Sequence, residues 1–266
     1  MSLDWIDPHD FSFDCLLLTE RFQIRLLCTD LNPAYRRHLA TALRHHPEVA
    51  RYFQKRCPER AEWVAELIRE APETTDSDTL RESEVFVLDS IQDFVIYTAP
   101  ELMQTHCPFI YGWDEARLHE LADLHGCRVL DVGSGSGRLA FAAAKVAAEV
   151  YASEPVGTLR EYLRDQIKLR GITNMRVCDG MADALPFPDN TFDVTMSGHV
   201  VGDDLDAELA ELIRVTKNGG WILDCPGDQP KEPPADHALF DRGWEHLPYT
   251  GSFGAVVHRY RFRVNK

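Results

Sequence analysis

The stretch Val129-Leu130-Asp131-Val132-Gly133-Ser134-Gly135-Ser136-Gly137-Arg138-Leu139 constrains this chain more than any other. Arg128 to Gly133 is a short apolar run that reads as a buried strand. Three glycines at a spacing of two follow it, and the Ala-rich run Arg138 to Ala147 then reads as a helix. Glycine lets the backbone turn sharply and lets a ligand lie against it with no Cβ in the way. A helix start offers free N–H groups to an electron-rich group. Asp131 ends the strand, where a carboxylate can meet an ammonium or accept from backbone donors.

The pattern continues downstream. Glu149 to Ser153, Met175 to Cys178, Phe192 to Ser197 and Gly220 to Asp224 read as strands. Thr158 to Arg170 and Asp206 to Thr216, between them, read as helices. Strands alternating with helices predict βαβ units and a parallel sheet covered on both faces. The tail differs. Tyr249 to Ser252 reads as a turn and Ala255 to Val264 alternates, which predicts a late antiparallel hairpin.

Upstream of this region the periodicity is helical. Leu39, Leu43, Val49, Tyr52, Phe53, Trp63, Val64, Leu67 and Ile68 recur at helical spacing from Pro33 to Glu70. Pro47 and Pro58 divide the stretch into about three helices. Glu73 to Asp78 reads as a polar connector, Glu84 to Tyr97 as a second helical stretch and Trp113 to His125 as a further helix. No repeat or low-complexity tract occurs.

Charge separates the same two regions. Residues 1–126 carry 12 basic and 23 acidic side chains, and residues 127–266 carry 16 and 20. The whole-chain net of -15 disfavours a phosphate backbone or anionic lipid as partner. Seven cysteines, with no CxxC pair, predict reduced thiols and a cytoplasmic protein. The start, MSLDWIDPHDF, has neither a basic nor an apolar segment of a secretory signal. No run of 18 apolar residues predicts a membrane span.

Two further segments bear on chemistry. Val150-Tyr151-Ala152-Ser153-Glu154-Pro155 ends the second strand in an acid about twenty residues after the glycines, where a carboxylate can accept both hydroxyls of a ribose. The third segment runs from Cys178-Asp179-Gly180-Met181-Ala182-Asp183 through Leu185-Pro186-Phe187 to Phe192-Asp193. Together these segments resemble a class I S-adenosylmethionine-dependent methyltransferase of the type 11 small-molecule group. That family has an acid-x-Gly-x-Gly-x-Gly loop, acids ending strands two and three, an Ala-x-x-Leu-Pro-Phe stretch and a Phe-Asp pair opening strand four. Glu211 to Gly220 also resembles its helix-to-strand-five segment, with Asn218 where the family usually has Pro. The likeness covers about residues 111–225.

The resemblance implies an α/β, doubly wound, Rossmann-like fold with a seven-stranded, mostly parallel sheet. Its strand order would be 3-2-1-4-5-7-6, with strand seven antiparallel. The expected organisation is an N-terminal α-helical cap region at 1–110 and a cofactor-binding domain at 111–266. S-adenosyl-L-methionine is the implied cofactor. Asp131 with Gly133, Ser134, Gly135 and Gly137 would hold its amino acid end. Glu154 would take the ribose hydroxyls, with Pro155 and Val156 beside the adenosine. Asp179 would accept from the adenine amino group, and Gly180, Met181 and Ala182 would line the ring. Ser197, Gly198 and His199 would face the methyl group and the acceptor, with His199 the candidate base.

A dinucleotide fingerprint G-x-G-x-x-G started at Gly133 meets Arg138 at its last position, which disfavours an NAD-dependent oxidoreductase. A P-loop lacks its G-K-[ST]. A methyltransferase-fold protein that binds without catalysis is the remaining alternative. Ser197-Gly198-His199-Val200 is neither the Asn/Asp-Pro-Pro-aromatic motif of amide and adenine-amino enzymes nor the Pro-Cys of cytosine C5 enzymes. That favours a small-molecule acceptor at oxygen, nitrogen or carbon. His38, His45 and His46, with few carboxylates nearby in sequence, predict no metal site. Asp203, Asp204 and Asp206 read as a helix N-terminal cluster. Arg259, Arg261 and Arg263 read as a solvated strand face. Tyr111 and Trp113 read either as closing over the cofactor or as core.

Overall fold

A computed structural model describes residues 5–29, 32–73, 76–202, 204–230 and 237–266. The chain divides into two compact units, Met1–Pro100 and Glu101–Lys266.

The first unit is helical: α1 (Arg21–Leu27), α2 (Pro33–His45), α3 (Pro47–Arg56), α4 (Ala61–Glu70), α5 (Ser77–Ser90) and α6 (Gln92–Ile96). Its helix starts are written in the sequence. The Asn32 side chain accepts from Tyr35 N–H at 2.7 Å, with Pro33 at the first helical position of α2. Asp76 caps α5 through Thr79 N–H at 2.9 Å. Pro47 opens α3, as its fixed φ and missing N–H allow. The expected stretch from Glu84 to Tyr97 is two helices, broken at Ile91 (φ −133°, ψ 35°). Polar side chains serve the break: Ser90 Oγ donates to Phe86 O at 2.7 Å, and Gln92 Nε2 to Asp89 Oδ1 at 2.8 Å. Leu39, Leu43, Val49, Phe53, Val64, Leu67, Val87 and Leu88 fill the core.

His46 is a correction. Few carboxylates were expected near it, yet its Nε2 lies 2.7 Å from Glu84, and its Nδ1 lies 3.2 Å from Glu48 and 3.5 Å from Asp14. Glu48 is two residues away, in the first turn of α3, but Asp14 and Glu84 come from remote segments that sequence spacing hid. His38 instead stacks on Phe86, and His45 is exposed.

The second unit opens with the short helices α7 (Met103–His106), α8 (Pro108–Tyr111) and α9 (Ala116–His119). The long helix expected over Trp113 to His125 is only α9 and turns. Asp114 caps Ala116 N–H at 3.0 Å and Asp123 caps His125 N–H at 2.9 Å, so two aspartates punctuate the stretch. Then come β1 (Arg128–Val132), α10 (Arg138–Ala144), β2 (Glu149–Ser153), α11 (Gly157–Leu169), β3 (Met175–Cys178), β4 (Phe192–Ser197), α12 (Leu205–Val215) and β5 (Thr216–Asp224). α13 (His237–Asp241), β6 (Glu245–His246), β7 (Tyr249–Thr250), β8 (Val256–Val257) and β9 (Tyr260–Arg263) complete the unit.

The seven-stranded sheet has the order β3-β2-β1-β4-β5-β9-β6. β1 to β5 pair in parallel, while β9 is antiparallel to both β5 and β6. This is the doubly wound, Rossmann-like order that the motifs imply. The alternating tail is not one hairpin arm. β8 pairs with β7 in a separate ribbon and β9 joins the main sheet.

β1 lies between β2 and β4 and is buried on both faces. Val129 packs with α10 and α11, whereas Leu130 and Val132 pack on the α12 side. Alternation therefore aims Asp131 at the α10 side. On β4 a register shift between Phe192 and Val194 changes this parity, so Phe192 faces the α12 side and Val194 the other.

The Leu185-Pro186-Phe187 stretch has a structural role. Leu185 N–H donates to Glu211 at 2.9 Å, and Arg214 of α12 donates to Phe187 O at 2.7 Å and Leu185 O at 3.0 Å. Phe187 joins Tyr151 and Phe192 in an edge-to-face triad, with centroids 4.9–5.6 Å apart. In the arginine run Arg263 is exposed, as a solvated face predicts, but Arg259 is a second correction. Arg259 is only 4% exposed, ion-paired to Glu120 at 2.9 Å and stacked on Tyr249. Arg261 and Arg263 lie on Trp221 at 4.8 and 4.7 Å. Guanidinium planes stack on aromatic rings and need not face solvent.

The seven cysteines are unbridged. No helix among the described residues is long and apolar enough to cross a membrane. Phe192 is fully buried at the centre of the aromatic triad. Phe192→Ala should cost about 3–5 kcal/mol of unfolding free energy, read by urea titration. A loss under about 1 kcal/mol would mean that the triad does not hold this face of the sheet.

Candidate functional site

The turn out of β1 is built from left-handed backbone. Gly133 has φ +63° and Gly137 has φ +93°, a region that side chains rarely enter. Space adds to the requirement. A Cβ on Gly133 would lie 2.4 Å from Val200 Cγ2, and one on Gly137 would lie 2.4 Å from the Phe141 ring. The turn is pinned by Gly133 N–H and Ser134 N–H, which both donate to Ser153 O, at 2.8 and 3.1 Å. Thus β2 fixes the position of the glycine loop.

Asp131 lies at the base of this loop and is 1% exposed. Both of its carboxylate oxygens are buried without a hydrogen-bond partner. The nearby Ser134 hydroxyl donates instead to the Asp131 main-chain carbonyl at 2.9 Å. Burial raises the Asp131 carboxyl to about 7, opposed by the Arg138 guanidinium and by lesser help from Ser134 and Ala140. A carboxylate in this state is short of a cation or of donors.

Glu154 follows β2 and is 3% exposed. Its oxygens accept from Gly135 N–H at 2.8 Å and Val156 N–H at 2.9 Å. Burial also raises this carboxyl to about 7, against the two backbone donors. Glu154 therefore braces the glycine loop as well as standing where a ribose ligand is expected. Each oxygen keeps a second lone pair for a further donor. Pro155 and buried Val156 lead from it into α11.

Asp179 is exposed and lies 3.3 Å from Arg160, which also donates to Glu154 O at 2.8 Å. Gly180 has no room for a side chain, because a Cβ would lie 2.4 Å from Ser153 Oγ. Met181 is exposed and forms an isolated bridge with Ala184, with Ala182 in the turn between them. Hence the ends of β1, β2 and β3 present Asp131, Glu154 and Asp179 along one edge of the sheet, beside the switch in strand order.

The end of β4 supplies the other side. Ser197 is buried, and its Oγ has no partner. Gly198 has no room for a Cβ, which would lie 2.7 Å from Arg138 Nη2 and from Cys225 O. His199 has φ +66°, which is unusual for a residue with a side chain and is characteristic of functional loops. The residue is exposed, and the Phe109 ring lies 5.3 Å from its own. Its Nε2 lies 3.3 Å from Gly227 N–H, which donates to it, and 3.4 Å from Gln229 Nε2. Desolvation, then the Arg138 charge, lower its pKa to about 4.

Sequence reasoning gave no role to Arg138, the first residue of α10. Its Nη2 donates to Cys225 O at 2.7 Å, its guanidinium lies 4.4 Å over the Trp113 ring, and its Nη1 is buried without a partner. Its place directly after Gly137 was the available signal. Tyr111 does not enter a core; it is exposed and meets Phe253 edge to face at 5.9 Å. Asp204 caps α12 through Ala207 N–H at 3.3 Å, as the acidic cluster predicts, while Asp203 lies outside the described residues.

The raised carboxyls have a consequence for stability. Asp131 and Glu154 titrate at about 7 when folded, against ordinary values of 3.8 and 4.5. The folded chain then holds protons that the unfolded chain has lost. Its stability should fall as pH rises from about 4 through about 7, and level off above. Asp131→Asn removes one such ionisation. The ligand-free variant should melt higher than wild type near pH 8, with the gap narrowing towards pH 4, in thermal denaturation. A variant that melts lower at every pH would show that the Asp131 charge is compensated.

Residues 130–223 match the family model described as a methyltransferase domain. The chain is 32% identical over 123 residues to a demethylmenaquinone methyltransferase of Geobacillus kaustophilus, covering 44% of this chain and 53% of that protein. It is 36% identical over 99 residues to an uncharacterized protein of Mycobacterium tuberculosis, covering 36% of each. The chain thus spans about a third to a half of the length of these curated relatives. A solved S-adenosylmethionine-dependent methyltransferase of Aquifex aeolicus shares the fold, with a TM-score of 0.50 and 20% identity over 62% of this chain and 95% of that one. The segment that carries β1 to β5 is thus similar to a methyltransferase domain, on a fold shared with the Aquifex enzyme.

Proposed function

We propose that this protein transfers a methyl group from S-adenosyl-L-methionine to a small-molecule acceptor. The observation that carries this reading is the buried Asp131 carboxylate, with no partner on either oxygen, beneath a left-handed glycine turn. A cofactor ammonium is a fitting counter-charge for it. Glu154 and Asp179 stand at the ends of the next two strands, where ribose hydroxyls and an adenine amino group would be accepted. Bound there, the cofactor supplies an activated methyl group.

The chain's own contribution is alignment. Gly133 to Gly137 let the backbone approach closely, while Ser197, Gly198 and His199 end β4 beside them. Holding two reactants in line is worth roughly 7–11 kcal/mol of barrier. His199 fits this positioning task better than proton removal: its Nε2 is engaged by Gly227 N–H, and its pKa near 4 leaves a weak base at neutral pH. The small-molecule assignment rests on the loop after β4 and on the acidic net charge of -15. The name of the Geobacillus relative, a demethylmenaquinone methyltransferase, supports an organic acceptor of this kind.

Calorimetry with S-adenosylhomocysteine tests the cofactor site. Binding should strengthen from about pH 6 to pH 8 as Asp131 and Glu154 ionise, with protons released on binding. Glu154→Ala should weaken affinity about tenfold or more, since a hydrogen bond to a charged group is worth roughly 1.5–3 kcal/mol. Binding of NAD with no response to S-adenosylhomocysteine would sink the proposal. Release of S-adenosylhomocysteine in the presence of an organic acceptor separates an enzyme from a binder.

His199→Gln tests the second part. Turnover should fall less than about tenfold, and its pH profile should keep the wild-type shape. A proton-abstracting base would instead cost about 10²–10⁴. A loss of that size with intact cofactor affinity would restore His199 as the base.

A further inference from the structure

One cluster in the helical unit has no part in the Proposed function. His46 joins the end of α2 to the start of α3, and three carboxylates converge on its ring. Glu48 lies in the first turn of α3, Asp14 in the first turn of the short 3-10 helix Phe13–Leu18, and Glu84 within α5. One oxygen each from Asp14 and Glu48 and a ring nitrogen of His46 lie within 4.8 Å of one another. Asp14 and Glu48 are exposed and His46 is half-buried, so an ion in solvent can reach all three.

Glu84 sets which ring nitrogen faces the other two acids. Its Oε1 lies 2.7 Å from His46 Nε2, the length of a charge-assisted bond, so Nε2 carries a proton and donates. Arg81 donates to the other Glu84 oxygen at 2.8 Å and holds that carboxylate in place. His46 Nδ1 is left towards Asp14 and Glu48. A second proton there would make a charge-assisted bond of about 2.7–2.9 Å. The distances are longer, 3.2 Å to Glu48 and 3.5 Å to Asp14. They match instead the edges, about 3.3–3.4 Å, of a tetrahedron whose centre lies about 2.0–2.1 Å from each donor. Charge agrees with this. Three carboxylates against the one Arg81 guanidinium leave two negative charges around a neutral imidazole, which a divalent ion cancels.

We propose that His46 Nδ1, Asp14 and Glu48 hold a divalent transition ion of the zinc class at the surface of the helical unit, with Glu84 orienting the imidazole. One ring nitrogen and two carboxylate oxygens suit zinc, with water completing the coordination, whereas magnesium takes oxygen ligands. A carboxylate on the far nitrogen of a metal-bound histidine fixes its tautomer and raises its basicity. The ion ties the Phe13–Leu18 segment to the start of α3, where the Phe13 ring already lies 4.9 Å from the His46 ring. Its role is to fasten this unit, and it does not depend on the Proposed function.

The test is calorimetric titration of the whole chain, stripped with chelator and kept reduced, with zinc, and with cobalt(II) as an optical probe. Wild type should bind one tight ion per chain that excess magnesium does not displace. The cobalt complex should lack the intense near-ultraviolet band of a thiolate ligand. Glu48→Gln and Asp14→Asn should each weaken zinc binding at least about tenfold, and Glu84→Gln about tenfold by loosening the imidazole. Zinc should raise the melting temperature of wild type and leave that of Glu48→Gln unmoved. His46→Gln should abolish binding. Because His46 packs near Phe13, circular dichroism checks that this variant folds, and the two exposed acids decide the matter if it does not. A folded wild type that binds no zinc would overturn the proposal and make His46 an imidazolium paired with its acids. Unchanged affinity in both Glu48→Gln and Asp14→Asn, or a thiolate band, would place the ion elsewhere and overturn it as well. Displacement by magnesium would mean a hard cation on carboxylates alone and refute the part given to His46.

Discussion

The site hangs on a turn that only glycine can make. β1 leaves the centre of the sheet, reverses through Gly133, Gly135 and Gly137 at positive φ, and enters α10. Ser153 at the end of β2 holds the turn by its carbonyl, and Glu154 beside it holds Gly135 by its carboxylate. From this one junction Asp131 is buried, Arg138 is set at the head of α10, and Val200 is brought against Gly133. Position in the sheet, more than the chemistry of any single side chain, brings these groups to one edge, where open α/β sheets bind ligands.

That placement works against the stability of the ligand-free chain. Two carboxyls raised to about 7 and an arginine with an unmatched donor sit where a folding protein would prefer apolar contacts. The surrounding structure sustains this. Leu130 and Val132 anchor β1 on the α12 side, Val129 on the other, and neighbouring strands pair along its length. Stability is concentrated in the sheet core and spent locally at its edge, a pattern found where binding energy must be recovered from a ligand.

Most of the sheet was legible because its strands and glycines carry local signals. Strand limits for β2, β3 and β4 agree with the apolar runs, the βαβ alternation predicts the parallel pairing, and the strand order is the one that the family resemblance implies. What stayed hidden depended on contacts distant in sequence. Of the carboxylates around His46, Asp14 and Glu84 come from remote segments. Arg259 reads as exposed by alternation, yet Glu120 and Tyr249, remote in sequence, bury it. The two-residue strand β6 is too short to leave a pattern, and β8 and β9 form one alternating run split between two sheets. At the site, Asp131 and Glu154 were visible as strand-end acids. That Glu154 is clasped by Gly135 N–H, and that His199 Nε2 is engaged by Gly227, needed the fold.

The matched segment ends at residue 223, at the close of β5. The groups beyond it differ in kind from the cofactor motifs. Asp228 is buried and accepts from the Tyr249 hydroxyl and from Ser252 N–H, which ties the loop after β5 to the β7–β8 ribbon. Tyr249 lies between the Arg117 and Arg259 guanidiniums, at 4.8 and 4.5 Å. Phe109 packs near His199 at 5.3 Å, and its main chain fills the space beside Gly227. The proposed cofactor residues Asp131, Glu154 and Asp179 lie inside the matched residues 130–223, whereas Phe109, Asp228, Tyr249 and Ser252 lie outside them. Identity of the acceptor has to be argued from those side chains, because the shared segment would look the same for many acceptors.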